Sequence, residues 1–429
     1  MKSRDNLDVA EIGAAFRSAL AAGMIREEDT SVIFYDLRFL EERIRYLGSC
    51  FPPGTLHAFA IKANPLRKIM DFVRETNPGS GVEAASLGEV TMALKAGYPP
   101  ANIVFDSPVK TAGEIEFALQ TGINLNIDNL SELARVAHHI PEPAGSVGIR
   151  INPQVGIGTI AGSSVAGNYS KFGVPVKYQR AALEEAFTTY PWLTGVHLHV
   201  GSQGCSVGML TEGVGILYDF VLEMNEKRRR TGLPPISVFD TGGGLPVAYH
   251  PGSCPASMEV YAAAISERAP LLFDPDHFRL ITEFGRWIYT NPGWTVSRVE
   301  YVKQDPGIKT AMLHTGADLF LRECLNPKDW SHEYSVFDKS GNPKTGLDDL
   351  PYNLAGPLCF SGDIIARHVS LPKVDEGDFL VIHDTGGYTF SMWSRYNSRQ
   401  TPRIAGYRGD QFEIIRERET LDELHAFWE

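Results

Sequence analysis

An α/β fold, a (β/α)8 TIM-like barrel followed by an all-β, sandwich- or barrel-like C-terminal domain, is what this chain of 429 residues predicts. Three observations carry the expectation. Eight short apolar, β-branched runs alternate with amphipathic segments over roughly the first 290 residues. That count, order and length are those of a closed parallel barrel. Beyond about residue 290 the helical segments stop, and strands separated by turn residues take over. The runner-up is a doubly wound open sheet, but no GxGxxG follows the first run.

Taken in order, segment 8–25 has helical periodicity, and SVIFYDL (31–37) reads as a strand that precedes the barrel and can pair into the β domain. The barrel runs are LHAFAI (56–61), GVEAA (81–85), NIVFD (102–106), NLNID (124–128), SVGIRI (146–151), LTGVHLHV (193–200), ISVFD (236–240) and FRLITEF (278–284). Between them, seven segments read as helices: LRKIMDFVRET, SLGEVTMALKAG, AGEIEFALQTG, SELARVAHHI, RAALEEAFTTY, LTEGVGILYDFVLEMNEKRRR and SMEVYAAAISERA. Several end near a glycine or an Asn-Pro stop. The basic cluster Lys227 to Arg230 closes one of them, where cations suit the helix dipole. Further on, TVSRVEYVKQ, KTAMLHTG, HEYSVFD, YNLAGPLC, GDFLVIHDTG and FEIIRER read as strands, with GNP, EGD and RGD as turns. The expected division is a barrel over 38–290 and a β domain from 1–37 plus 291–429.

Composition narrows the function. Hydrophobic residues make up 43% and charged residues 21%, enough to bury a large core and too apolar for disorder over most of the chain. Forty Lys+Arg against fifty-two Asp+Glu leave a net charge of −12, which disfavours nucleic acid and anionic membranes as partners. Cys50, Cys205, Cys254, Cys324 and Cys359 are scattered and form no CxxC pair, which disfavours disulfides and a metal site and favours a reducing compartment. The opening MKSRDNLDVAEIGAAF lacks a signal peptide's apolar core, and no run approaches the roughly 18 apolar residues of a membrane span. The expectation is a cytoplasmic protein acting on a small molecule.

Catalytic groups in such barrels sit at the carboxyl ends of the strands. That rule selects Lys62, Glu83 and Ser86, Asp106, Asp128, Arg150, His199 and Ser202, Thr241-Gly242-Gly243-Gly244, and Glu283-Phe284-Gly285-Arg286. Lys62 follows an apolar run, so its ammonium is partly desolvated and its amine nucleophilic; a salt-bridged structural lysine is the alternative. Glu283 can face a cationic group on a ligand, or pair with Lys62 or Arg286. The glycine run can offer backbone N–H groups to an anion, or form only a tight turn. His199 alone fits a packed core histidine, but the HVGSQ segment suits a loop that lines a ligand. A lysine, a carboxylate, a histidine and an anion-binding glycine turn together suggest pyridoxal 5′-phosphate (PLP). Its aldehyde needs a lysine, its phosphate needs N–H donors, and its pyridine nitrogen needs a carboxylate.

The motifs AIKANP, VEAASLGE, RINP, SKFG, HLHVGSQ, DTGGGLP, EFGR, GPLCFSGD and GGYTFSMWSRYNSR span about 31–408. On these the chain resembles the fold type III PLP-dependent decarboxylases, the group that acts on diaminopimelate, ornithine and arginine, with a layout most like the diaminopimelate branch. The resemblance implies a Schiff-base role for Lys62, Glu283 at the pyridine nitrogen and His199 stacked on the ring. It implies that Ser202, Gly243, Gly244 and Tyr388 hold the phosphate with backbone N–H groups near Glu283, Gly285 and Arg286, and that Arg150 stands behind them. Cys359 matches the family's acid, which reaches across a homodimer interface and protonates the substrate's α-carbon after CO2 leaves; by its residue type alone it is a small buried hydrophobe.

Four departures from the family pattern bear on substrate. EFGR carries Phe284 where members usually have proline, with local backbone stiffness as the expected effect. His314-Thr315-Gly316 replaces an Asp-Gly-Gly opening. In the Arg-Pro-x-x-Tyr motif Arg322 survives, but Asn326 stands for the tyrosine. In the interface loop Phe360 stands where a glutamate contacts the distal end of the substrate. Arg286, Arg322, Asn326, Phe360 and Tyr388 are the candidate substrate contacts. The implied substrate is meso-diaminopimelate or another amino acid with a distal carboxylate, and the alternatives are a specialised metabolite's amino acid or a basic one of the lysine, ornithine or arginine type. A racemase on the same fold typically sets an arginine at the pyridine nitrogen, so Glu283 favours decarboxylation. A non-catalytic homologue tends to lose the cofactor residues, and Lys62, His199, Glu283, Cys359 and Tyr388 are all present. The Gly/Ser-rich stretch 161–173 is expected to be a mobile loop near the site or an ordered surface loop.

Overall fold

In the computed structural model, which describes residues 5–139, 144–345 and 349–429, the apolar runs form strands and the segments between them helices. Ile140, at the end of the helix expected over 131–140, lies outside the described residues, as do 1–4 and 346–348 of the expected β domain. In chain order the strands are β1 (Ser31–Asp36), β2 (Leu56–Ala60), β3 (Gly81–Ala84), β4 (Ile103–Phe105), β5 (Asn124–Ile127), β6 (Val147–Asn152) and β7 (Val174–Pro175). There follow β8 (Leu193–His197), β9 (Val238–Asp240), β10 (Arg279–Thr282), β11 (Gly293–Asp305), β12 (Ile308–Leu313) and β13 (Tyr334–Phe337). The last are β14 (Leu350–Ala355), β15 (Ile364–Leu371), β16 (Phe379–Ile382), β17 (Arg403–Arg408) and β18 (Gln411–Arg416). Two compact units result: one of Ile44–Pro246 and Pro255–Trp287, the other of the N-terminal segment through Arg43, Val247–Cys254 and Ile288–Glu429.

The first unit is a closed parallel barrel. Its strands run in the order β5-β4-β3-β2-β10-β9-β8-β6, and pairing of β5 with β6 shuts the ring. Closure removes the exposed edges that an open sheet would keep, and it excludes the doubly wound alternative. The two-residue β7 lies beside β6. Strands such as β2, β3 and β6 are buried along their whole length, which is why they read as nearly continuous apolar runs. Several helices begin where a side chain satisfies the first free N–H groups. Ser86 caps Leu87–Lys95, Ser206 caps Val207–Thr231, and Thr111 with Glu114 forms a capping box on Ala112–Thr121. Gly122, at φ 82°, ends that last helix in a left-handed conformation open to glycine.

The second unit is built on a nine-stranded sheet with the path β15-β14-β12-β11-β1-β17-β18, to which β16 adds on β11 and β13 on β16. β1 sits between β11, antiparallel, and β17, parallel, so the strand that precedes the barrel is an interior member of this sheet. The helix Val9–Ala21, started by an Asp8–Glu11 capping box, buries Ile12 and Phe16 in a core with Phe34, Trp294, Phe337 and Val381. The Phe16 ring meets Trp294, Phe337 and Phe379 edge-on at 5.1–6.3 Å, a favoured aromatic geometry.

Among the described elements of six residues or more, four were not expected from the sequence: the helices Leu37–Cys50 and Leu421–Trp428 and the strands β15 and β17. The first helix had a legible signal, since Leu37, Leu40, Ile44 and Leu47 recur at helical spacing and are buried. β15 carries Arg367 and His368 at its centre, with His368 at φ 54°, so its alternation is broken. YNLAGPLC is a strand only as far as Ala355, where Gly356-Pro357 ends β14 and releases Cys359 into a loop.

Candidate active site

The chain leaves the buried strand β2 through a 3-10 turn, Ile61–Ala63, which sets Lys62 at the carboxyl end of the barrel. Its side chain is 38% exposed, and Nζ donates to Glu83 Oε1 at 2.7 Å. The register Ala60↔Glu83 between β2 and β3 fixes that meeting. The salt bridge considered for Lys62 therefore exists, with Glu83 as the partner. Burial pushes the Glu83 carboxyl up to about 7; Lys62 opposes the rise, and the charges of Glu283 and Asp106 add to it.

Glu283 follows β10 directly and is buried. Its Oε2 lies 3.3 Å from Nε2 of His197, the last residue of β8, and its Oε1 has no hydrogen-bond partner. His197 Nδ1 lies 3.3 Å from Asp106 Oδ1, and Arg150 Nη1 reaches Asp106 Oδ2 at 3.3 Å. Neither ring nitrogen of His197 makes a hydrogen bond, and the two contacts are ion pairs when the imidazole is protonated. Burial alone would strip the His197 proton, but the carboxylates of Asp106, Glu283 and Asp240 overcome it and hold the imidazole charged well above its usual range. Burial likewise opposes ionisation of Asp106, and His197 and Arg150 reverse that, so its carboxyl lies below the usual range. Asp240 goes the other way: burial, then the Glu283 charge, raise it well above the usual range.

His199 sits two residues beyond His197, half-buried, with Nδ1 accepting from the Gly243 N–H at 3.2 Å. Burial, then the Lys62, Arg150 and His197 cations, keep its imidazole neutral. The glycine turn has no room for side chains: a Cβ on Gly243 would meet the Glu283 carbonyl oxygen at 2.3 Å, and one on Gly244, at φ 113°, the Gly201 oxygen at 2.3 Å. Arg286, which follows Gly285, donates from Nε to Ser202 Oγ at 2.9 Å. In the stretch 161–173, Ser163 O accepts from Ser202 N at 2.9 Å, and Val165 N donates to Val200 O at 3.0 Å. Phe284 does more than replace a proline. It is buried, packing against Phe51 and Tyr261 with ring centroids 6.1–6.2 Å away. The departure thus fills an aromatic cluster rather than acting through backbone stiffness alone.

Lys62, Arg150, His199, Ser202, Gly243, Gly244, Glu283, Gly285 and Arg286 all belong to the barrel unit, at or just beyond its strands. Arg322, Asn326, Cys359, Phe360 and Tyr388 belong to the second unit. There Arg322 Nη2 donates to Tyr388 O at 3.0 Å and its guanidinium lies over the Trp330 ring at 4.1 Å. Tyr388 holds φ 58°, an uncommon conformation for a non-glycine residue. Asn326 ends the helix Leu321–Leu325 and donates to Asp329 Oδ2 at 2.7 Å. Cys359 is exposed; its N–H donates to Asn397 Oδ1 at 2.7 Å, and Phe360, 37% exposed, meets Tyr396 edge-on. His314 faces Glu300 at 2.7 Å.

Sequence reasoning gave His197 and Asp240 no role, and left Glu83 and Asp106 as strand-end residues without one. The signal was present in β8, where alternation turns Gly195 and His197 to the same face.

The barrel's strand ends thus carry a partly exposed lysine, a buried carboxylate, a histidine held by a backbone N–H and a turn with no room for side chains. The donor set fits PLP: Glu283 Oε1 is a buried acceptor with no hydrogen-bond partner, and His199 offers an uncharged ring. The family described as pyridoxal-dependent decarboxylase, pyridoxal binding domain, matches residues 37–290. The diaminopimelate decarboxylase of Methanothermobacter thermautotrophicus is 32% identical over 85% of this chain and 83% of its own. That of Archaeoglobus fulgidus is 30% identical over 94% and 93%. The crystal structure of diaminopimelate decarboxylase from Helicobacter pylori complexed with L-lysine superposes with a TM-score of 0.81 at 27% identity, covering 95% of this chain and 99% of that one. The chain belongs to the pyridoxal-dependent decarboxylases and is a carboxy-lyase of that class.

Proposed function

We propose that the barrel of residues 38–290 holds PLP and that the enzyme decarboxylates an amino acid with a distal carboxylate, meso-diaminopimelate being the leading candidate. The observation that carries this reading is Glu283 Oε1, a buried carboxylate oxygen without a hydrogen-bond partner in the same barrel end as Lys62. Lys62 would hold the aldehyde carbon, Glu283 the ring nitrogen and His199 the ring face. Ser202, Gly243, Gly244, Gly285, Arg286 and Tyr388 would hold the phosphate, and Arg150 would act from behind through Asp106. When bound, PLP supplies a ring that accepts the electron pair left as CO2 departs.

The chain's own groups supply the rest. Lys62 Nζ must be uncharged to bond to the aldehyde, and Glu83 Oε1, 2.7 Å away, is an acceptor whose carboxyl sits at about 7 and so holds a proton near neutral pH. Glu283 would face the ring nitrogen. The Cys359 thiol would return a proton to the α-carbon, from the partner of a homodimer whose sites are completed by the domain of 1–37 plus 291–429. The net charge of −12 and the free cysteines support a cytoplasmic enzyme without nucleic-acid or membrane partners; among the described residues, no helix is long and apolar enough to cross a membrane.

For the substrate, Arg286 and Arg322 suit a distal carboxylate, and Tyr388, Asn326 and Phe360 complete the candidate contacts. Phe360 cannot accept a hydrogen bond from a distal ammonium, and leaving that group unpaired costs on the order of 2–4 kcal/mol. The test is CO2 release by the PLP-loaded enzyme from meso-diaminopimelate, beside lysine, ornithine, arginine and amino diacids. Release from meso-diaminopimelate, abolished in Lys62→Ala, supports the leading candidate, and turnover of another acid alone reassigns the substrate. Phe360→Glu is expected to raise diaminopimelate turnover, and a fall would sink the specificity reading.

A further inference from the structure

We propose that His197 is a positioning residue: an imidazolium held between Asp106 and Glu283 that keeps Glu283 ionised and aimed at the cofactor's ring nitrogen. This rests on the reading of Glu283 as the partner of that nitrogen. Four carboxyl groups, Glu83, Asp106, Asp240 and Glu283, are buried together at the carboxyl end of the barrel. Three cations face them: Lys62 on Glu83 at 2.7 Å, Arg150 on Asp106 at 3.3 Å, and His197 between Asp106 and Glu283 at 3.3 Å from each. His197 is therefore the cation at ion-pair distance from Glu283. The fourth carboxyl, Asp240, is raised well above its usual range by burial and by the charge of Glu283.

Strand register builds the arrangement. Arg150 is level with His197 across β6 and β8, and His197 with Asp240 across β8 and β9. His197 is fully buried, so its geometry cannot relax toward water. Without a cation there, Glu283 would lie buried beside three other carboxyl groups and would take up a proton. A neutral Glu283 could not hold a protonated ring nitrogen, and the ring would accept electrons poorly. The same three side chains do not make a metal site, although among the described residues they alone group closely enough to suggest one. An imidazolium has no lone pair on either ring nitrogen, so a protonated His197 has none to offer an ion.

The test uses the full chain in two forms. In the PLP-free protein, NMR of 13C-labelled histidine rings should show one buried imidazole that stays protonated from about pH 6 to pH 9, against an ordinary value near 6.5. His197→Gln should remove that signal, and Asp106→Asn should bring its titration down into the window. A neutral His197 at pH 7 in the wild type overturns the proposal. In the loaded enzyme, the nitrogen shift of 15N-ring-labelled PLP should report a protonated pyridine, moving toward the neutral form in His197→Gln or, should that variant not fold, in Asp106→Asn at high pH. Turnover should fall on the order of 10- to 100-fold with KM little changed, the size expected on losing a group that orients a functional one. An unchanged nitrogen shift overturns the proposal even if activity falls. A wild type that gains no visible absorption band with PLP would instead count against the cofactor reading, and the histidine titration would still stand.

Discussion

Two lysines follow barrel strands, and they are treated oppositely. Lys110, beyond β4, is buried, and its three N–H groups go to Ser107 O, Asn126 O and Glu132 Oε1 at 2.7–2.8 Å. The second oxygen of Glu132 accepts from Asp128 N. Donors and acceptors close on each other, and nothing is left for a ligand. Lys62 is partly open to solvent, and around it Glu83 Oε2, Asp106 Oδ1 and Glu283 Oε1 are buried without hydrogen-bond partners. A satisfied charge network fixes a scaffold, while an incomplete one costs stability and is retained where a ligand completes it. Degree of satisfaction, together with exposure, separates two residues of the same type.

That contrast can be broken by experiment. Lys62→Ala is expected to cut turnover on the order of a thousandfold or more and abolish the visible band, with a melting temperature close to wild type. A large fall in melting temperature would make Lys62 structural. Lys110→Met should do the reverse, leaving Glu132 buried without its cation and costing about 3–5 kcal/mol in urea unfolding while the band persists in what folds.

The pH dependence separates groups within the barrel. His57, buried against Thr282 Oγ1, is lowered by burial to about 4, so it contributes stability above its unfolded value that is lost as pH falls from about 6.5 through 4. The loss reaches about 3 kcal/mol, and unfolding of His57→Gln across that window should be flatter. Glu83, raised to about 7, acts in the opposite sense: its contribution is complete below its unfolded value and is lost as pH rises through 7. Glu83→Gln should therefore gain stability relative to wild type on the neutral side. The smallest effect is Gly243→Ala, whose Cβ must displace the Glu283 carbonyl: about 1–3 kcal/mol of stability, with PLP affinity falling alongside.

The barrel was legible because its strands are buried on both faces and its helices carry caps, so period, length and punctuation agreed. The carboxyl-end rule then found Lys62 and Glu283 before any resemblance was invoked. His197 escaped because a strand-interior histidine reads as core until its neighbours are known, and those neighbours, Asp106 and Glu283, come from strands distant in sequence. In the second unit, β15 and β17 were missed for a related reason. Arg367 and His368 interrupt one, and β17 follows Pro402 and mixes Arg403, Gly406 and Arg408 among its apolar residues. Strand identity there depends on pairing with distant partners rather than on local pattern.

The placement of β1 has a consequence for time as well as space. Val32 pairs with Val296 and with Arg403, so this strand is made before the barrel, and its neighbours only after it. During synthesis the barrel can close while β1 waits with both hydrogen-bonding edges bare; β11 then covers one, and the other stays bare until β17 emerges. The order of translation thus makes the N-terminal segment the longest-exposed adhesive surface of the nascent protein. Slow delivery of the C-terminus, rather than a weakness in the barrel, is where its production would first fail.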